Sequence, residues 1–213
     1  MRSPCKPLGL YDDSGVKLPF WDGGDIGYTK RKEMAQPKAF TPVKLVCGVI
    51  YREEILYEEV RRRIIAEWGS IDLESHAFPF DLTAYYEPEM GPDLKRRFVS
   101  FAGLTASETL PAVKLRTIDL EESVRRETGA LGRPVNIDPG YLTASALVMA
   151  TAKDFSHRIP LERGIYAHLE FLFTKTGVKT LDWTYPDFRS GPCQGFFRTV
   201  REMYLRQLRE PPA

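Results

Sequence analysis

The residue types that chemistry needs crowd into one stretch, residues 133–158, RPVNIDPGYLTASALVMATAKDFSHR. It holds a carboxamide (Asn136), a carboxylate (Asp138), a phenol (Tyr141), two cations (Lys153 and Arg158) and an imidazole (His157). Val135 and Ile137 alternate with Asn136 and Asp138, so a half-buried strand would turn both polar side chains to one side. Asp138-Pro139-Gly140 reads as the turn that follows. The acid accepts a backbone N–H, proline presets φ, and glycine takes the left-handed position. The plainer alternative is that Asn136 and Asp138 only cap that turn.

Two further groups invite a chemical reading. Glu87 and Glu89 flank Pro88, and in extended chain they would project to one side, as a metal pair or an acid–base pair must. The bland reading is a surface turn with two solvated acids. Arg97 ends the run Lys95-Arg96-Arg97, and with Lys153 and Arg158 it offers donors for phosphate oxygens. The expected catalytic set is Asp138, His157 and Glu89, and the expected ligand-binding set is Arg97, Asn136, Tyr141, Lys153 and Arg158. Glu87, Glu89 and Asp138 would be the hard oxygen ligands of a divalent cation such as Mg²⁺. A histidine beside an arginine is equally a structural residue.

No phosphate-binding glycine loop, dinucleotide fingerprint, zinc-protease helix or hydrolase elbow is present. Cys47 sits inside an apolar run and reads as core, not nucleophile. Cys5, Cys47 and Cys193 are odd in number and far apart, which argues for a reducing compartment without disulfides or structural zinc. The 30 basic and 29 acidic residues leave a net charge of +1, so no global field favours nucleic acid or an anionic membrane. No run approaches the ~20 apolar residues of a membrane-spanning helix, and the opening MRSPCKPLGL lacks a signal-peptide core. A cytoplasmic location is the expectation.

The elements that must position these groups are those of an α+β domain. With 213 residues, 43% of them hydrophobic, the chain can build one substantial core. Glycine and proline punctuate residues 1–41 too often for regular structure, so these form an N-terminal extension, which Phe20, Trp21 and Tyr28 would let lie as a strap. Residues 42–210 form the single domain, a mostly antiparallel β-sheet packed by two or three helices. Val43–Tyr51 reads as a buried strand. The next segment sets Leu56, Val60, Ile64 and Trp68 at helical spacing and stops at Gly69. Phe78 to Thr83 alternates as an edge strand, residues 98–104 form another strand, and 105–129 form a helix, continuous or interrupted, that ends at Gly129. In GIYAHLEFLF, Ile165, Ala167, Leu169, Phe171 and Phe173 would face inward, with His168 and Glu170 outward. That strand hairpins through Thr176-Gly177, Tyr185-Pro186-Asp187 turns, and Phe196, Val200, Tyr204 and Leu208 mark a terminal helix.

The phrases PFDLTAYYEPEMG, RRFVSF, VNIDPGY, LVMATAKDFSHRI, GIYAHLEF and WTYPDF, in this order, resemble the prokaryotic family catalogued as domain of unknown function 4416, over roughly residues 38–209. The resemblance brings no established activity. It implies that Glu87, Glu89, Arg97, Asn136, Asp138, Tyr141, Lys153, His157, Arg158 and Asp187 belong to family signatures. The chain departs from the family's usual pattern at Ala84, Ile118, Pro160 and His168.

Two functional expectations follow. The first is an enzyme that binds a phosphorylated small molecule or a nucleotide, with or without a divalent cation. The second is a binding module without catalysis, for RNA or a protein, using Tyr85, Tyr86, Trp183, Tyr185 and Phe188 as stacking surfaces. The near-neutral charge weighs against nucleic acid. What separates the readings is whether the acids and bases meet in one cavity.

Overall fold

Nine residues, Val43–Tyr51, form strand β1, and every one of them is buried. A strand can be buried throughout only at the centre of a sheet covered on both faces, and β1 holds that place. The computed structural model describes residues 36–210. In it β1 lies between β4 (Lys95–Thr105) and β5 (Val135–Leu142). The sheet continues outward through β2 (Ile71–Glu74) beyond β4. On the other side come β6 (Ala146–Thr151), β8 (Tyr166–Thr174) and β7 (Ile159–Pro160). Short strands β3 (Phe78–Pro79) and β9 (Gly177–Thr180) pair with β4 and β8, giving nine strands, all antiparallel to their neighbours. The expected N-terminal extension lies outside the described residues, apart from residues 36–41, which are irregular and exposed.

Among the described residues four α-helices cover the sheet: α1 (Glu54–Trp68), the single turn α2 (Glu87–Met90), α3 (Leu110–Thr128) and α4 (Gly191–Gln207). Side-chain alternation divides β1 between two cores. Leu45, Cys47, Val49 and Tyr51 pack against Tyr57, Val60 and Ile64 of α1 and Val113, Leu120 and Val124 of α3. Val46 and Phe98 face Phe196, Phe197, Val200 and Tyr204 of α4. Each fully buried aromatic contributes roughly 1.5–3 kcal/mol, so the phenylalanine pair of α4 fixes that helix across the sheet. Cys47 is a buried core thiol, as its apolar run implies.

The decisive irregularity lies in β5. Asp138-Pro139-Gly140 is not a turn: β5 runs straight through it to Leu142. Gly140 has no left-handed φ. On one edge β5 pairs with β1 along its whole length, but on the other β6 joins only at Gly140, Tyr141 and Leu142. A proline can sit inside a strand where the ladder has no need of its N–H. Pro139 stands on the stretch that β6 leaves unpaired, so the sheet splits open beside Asn136 and Asp138.

Gly140 closes the split. A Cβ there would lie 2.5 Å from both the sulfur of Met149 and the carbonyl oxygen of Val148. Glycine is therefore required by close approach between strands. Gly140→Ala is expected to cost about 1–3 kcal/mol through overpacking. Gly103→Ala, where nothing lies within 4 Å, serves as the neutral control. Thermal denaturation of the two variants measures the contrast.

Candidate functional site

The gap beside β5 opens into a cavity of about 600 Å³. Its floor is Asn136 and Asp138, its walls include Arg96, Lys114, His168, Glu170 and Asp187, and its mouth carries Tyr85, Lys153, Phe155, Arg158 and Tyr185. At the floor, Asn136 Nδ2 donates to Asp138 Oδ2 at 2.7 Å, and Arg96 Nη2 donates to the same oxygen at 3.3 Å. Lys114 Nζ lies 3.5 Å from Asp138 Oδ1. Burial pushes the Asp138 carboxyl up, but Lys114, Arg96 and the Asn136 amide outweigh it and hold the group below the usual aspartate range. Asp138 is therefore an ionised acceptor, with 24% of its side chain open.

Helix α3 supplies what β6 withholds. Lys114 Nζ donates to the carbonyl of Ile137 at 2.9 Å, and Glu121 Oε1 accepts the Ile137 N–H at 2.7 Å. Seven residues apart, the two side chains leave one face of the helix. They satisfy the backbone groups that would otherwise be orphaned at the split. Arg133 Nη2 donates to Glu121 Oε2 at 2.6 Å and closes the bracket. Burial still leaves the Glu121 carboxyl above its ordinary value despite Lys114 and Arg133.

Arg96 joins Asp138 of the floor to Asp187 of the wall. Its Nη1 bonds Asp187, its Nη2 bonds Asp138, and its guanidinium carbon lies 4.8 Å from the ring centres of both Phe98 and Phe188. Gly48 makes room, because a Cβ there would meet Arg96 Nη2 at 2.9 Å. A tightly packed aromatic surround suits a planar, weakly hydrated guanidinium.

At the mouth the cations are differently placed. Lys153 Nζ donates to Tyr85 Oη at 2.6 Å. Arg158 donates from Nε to His168 Nδ1 at 3.4 Å, from Nη1 to the Lys153 carbonyl at 2.7 Å and from Nη2 to Tyr185 Oη at 2.8 Å. Among the described residues neither cation has a carboxylate within ion-pair distance. Arg158 uses three of its N–H donors on these contacts. A guanidinium carries about five N–H groups, so one is left on each terminal nitrogen, the pattern a bidentate oxyanion fills.

Of the residues expected from sequence, Asn136, Asp138, Lys153 and Arg158 meet at this cavity, as does Asp187. His157 stands one layer behind: Nε2 is 3.2 Å from His168 Nδ1, and the ring stacks on Trp183 at 4.8 Å. Burial, with His168 and Arg158 nearby, holds the His157 imidazole below its ordinary value. Arg97 alternates to the other face, where it donates to Tyr51, Glu54 and Glu74, so Arg96 is the cavity arginine. Tyr141 packs with the apolar group of Leu110, Ala150 and Ile165.

The carboxylate pair needs correction. Glu87 and Glu89 stand on α2, exposed and outside the cavity, and residues two apart on a helix do not share a face. Among the described residues no three His, Cys, Asp or Glu side chains are placed to hold a metal. Asp138 is already neutralised by Arg96 and Lys114, so the donor set does not fit the divalent cation expected of Glu87, Glu89 and Asp138.

His168 and Glu170 also reverse expectation, because both are buried and both line the cavity. The pairing of β6 with β8 shifts register between Leu147 and Val148. This bulge lets Glu170 and Phe171 both turn inward, so strict alternation fails there. His168 Nε2 is 3.1 Å from Glu170 Oε2, near enough for an ion pair but misaligned for a hydrogen bond, and both atoms are sealed from water without another partner.

Fold and site together define an α+β protein with a cavity at a break in its antiparallel sheet. Residues 41–204 match the family described as Domain of unknown function (DUF4416), and the chain belongs to it. No curated protein and no solved structure matches the chain. No helix among the described residues is long and apolar enough to cross a membrane.

Proposed function

We propose that the cavity binds a phosphorylated small molecule or a nucleotide, and that the protein is an enzyme acting on it. The observation that carries the reading is the pair Lys153 and Arg158. These two cations come from one loop, have spare donors and, among the described residues, no acidic partner, and they stand at the mouth of a cavity with an ionised carboxylate at its floor. A charged group left unpaired at a cavity entrance is what anion capture requires. Tyr85, Phe155 and Tyr185 offer aromatic surface beside it for the rest of the ligand, and a base or sugar could lie there. Asp138 would accept a hydrogen bond from the ligand's inner end. Its depressed pKa fits an anchor better than a general base, which works best near the working pH.

The test is a thermal-shift panel of inorganic pyrophosphate, nucleotides and sugar phosphates. A ligand at a hundred times its Kd should add about 2.7 kcal/mol and raise Tm by roughly 5–10 °C. Lys153→Ala and Arg158→Ala should each weaken binding about tenfold or more. A panel in which nothing moves Tm, alongside RNA retention in a low-salt gel shift, would favour the binding-module reading instead.

A further inference from the structure

Resting on that anion-site reading, we propose that Glu170 and His168 are positioning residues that hold Arg158 in place, with Glu170 selecting the tautomer of His168. The argument begins at His168 Nδ1, which receives Arg158 Nε at 3.4 Å and His157 Nε2 at 3.2 Å. A guanidinium N–H can only donate, so Nδ1 must present its lone pair. The neutral ring then carries its proton on Nε2, and His157 Nε2 must be a donor.

The Nε2–H of His168 faces Glu170 Oε2 at 3.1 Å. The other tautomer would set a lone pair against a carboxylate oxygen in a place water cannot reach. Because the contact is misaligned for a hydrogen bond, its effect is electrostatic selection between tautomers. Glu170 is itself fixed through its second oxygen, which accepts the Tyr185 N–H at 2.8 Å. Tyr185 then stacks on the His168 ring at 5.1 Å and takes Arg158 Nη2 through its hydroxyl.

The charged and titratable groups facing His168 are thus Glu170 from its own strand, His157 and Arg158 from the β6–β7 loop, and Tyr185 from the segment before α4. Every one of them bears on Arg158. With Nε held by His168 and Nη1 by the Lys153 carbonyl, the guanidinium plane is fixed and its spare donors are presented together with the Lys153 ammonium.

Two measurements decide the matter. Nitrogen-15 spectra of the unliganded protein should show His168 protonated at Nε2 and bare at Nδ1; the reverse tautomer would overturn the proposal whether or not any ligand binds. The second is a double-mutant cycle read by the affinity for inorganic pyrophosphate. Glu170→Gln, which can face Nε2 with either a donor or an acceptor, should weaken binding about fivefold. His168→Asn places an amide oxygen where Nδ1 stood and needs no tautomer selection. In that background Glu170→Gln should change the affinity by less than about twofold. Equal losses in both backgrounds, or no loss in the first, would show that Glu170 does not act through His168. Failure of the wild-type protein to bind pyrophosphate would instead count against the anion site, and the tautomer spectrum would still decide the lock.

Discussion

Arg96→Met should lower stability by about 3–5 kcal/mol, because it leaves two largely enclosed carboxylates facing an apolar side chain. Arg96 is 5% exposed and bridges Asp138 to Asp187, and the aromatic rings of Phe98 and Phe188 pack against the guanidinium. Asp138 keeps Lys114 and Asn136, whereas Asp187 loses its ion-pair partner. The fall in Tm should be on the order of 10 °C. Arg96→Lys should recover only part of it, since a single ammonium cannot span two acids as a planar fork does. Adding Asp187→Asn to Arg96→Met should restore stability, because removing both members of a buried pair costs less than removing one. Thermal and urea unfolding of the three variants test this. An Arg96→Met protein within about 1 kcal/mol of wild type would show that the inner wall is held by its aromatic packing alone.

Much of this architecture was legible because the residues that form it obey simple periodicities. The apolar run of β1, the stripe of α1 that stops at Gly69, and the four-residue repeat in α4 all follow from burial of one face. The central stretch also announced Asn136, Asp138, Lys153 and Arg158, which share the cavity. What sequence concealed was register. Arg96 and Arg97 are neighbours in one basic run, and only strand parity decides which of them enters the cavity. His168 and Glu170 were placed outward by alternation, and the β6–β8 bulge turned them in. The Asp-Pro-Gly motif has turn chemistry, yet at the unpaired edge of β5 the same proline is a device for splitting the sheet. Lys114 and Glu121 did leave a signal. They fall seven apart within the apolar stripe of α3, where a solvated charge has no reason to stand.

That pair yields the second large effect. Glu121→Ala should cost about 2–3 kcal/mol, most of it from leaving the Ile137 N–H buried without an acceptor. Arg133 would lose its carboxylate too, but it is partly exposed and can turn to water, so its share is small. Glu121→Gln keeps an oxygen for Ile137 and should cost less than the alanine variant. The two are further separated by pH. Burial raises the folded-state pKa of Glu121 above its ordinary value of 4.5, although Lys114, Arg133 and the Ile137 amide pull the other way. An acid raised on folding contributes stability that is fully present below the unfolded pKa and is lost as pH rises through the folded one. Wild type should therefore lose ground to Glu121→Gln as pH climbs from about 4 toward neutrality. Asp138 shifts downward, so its contribution has the opposite sign: present above the unfolded aspartate value and lost as acid reaches the folded one. Urea unfolding of wild type and Glu121→Gln between pH 4 and pH 7 would resolve the difference. A gap that widens with rising pH in favour of wild type would mean that Arg133 and Lys114 overcome burial, and that the α3 bracket is held by charge instead of by its hydrogen bonds to β5.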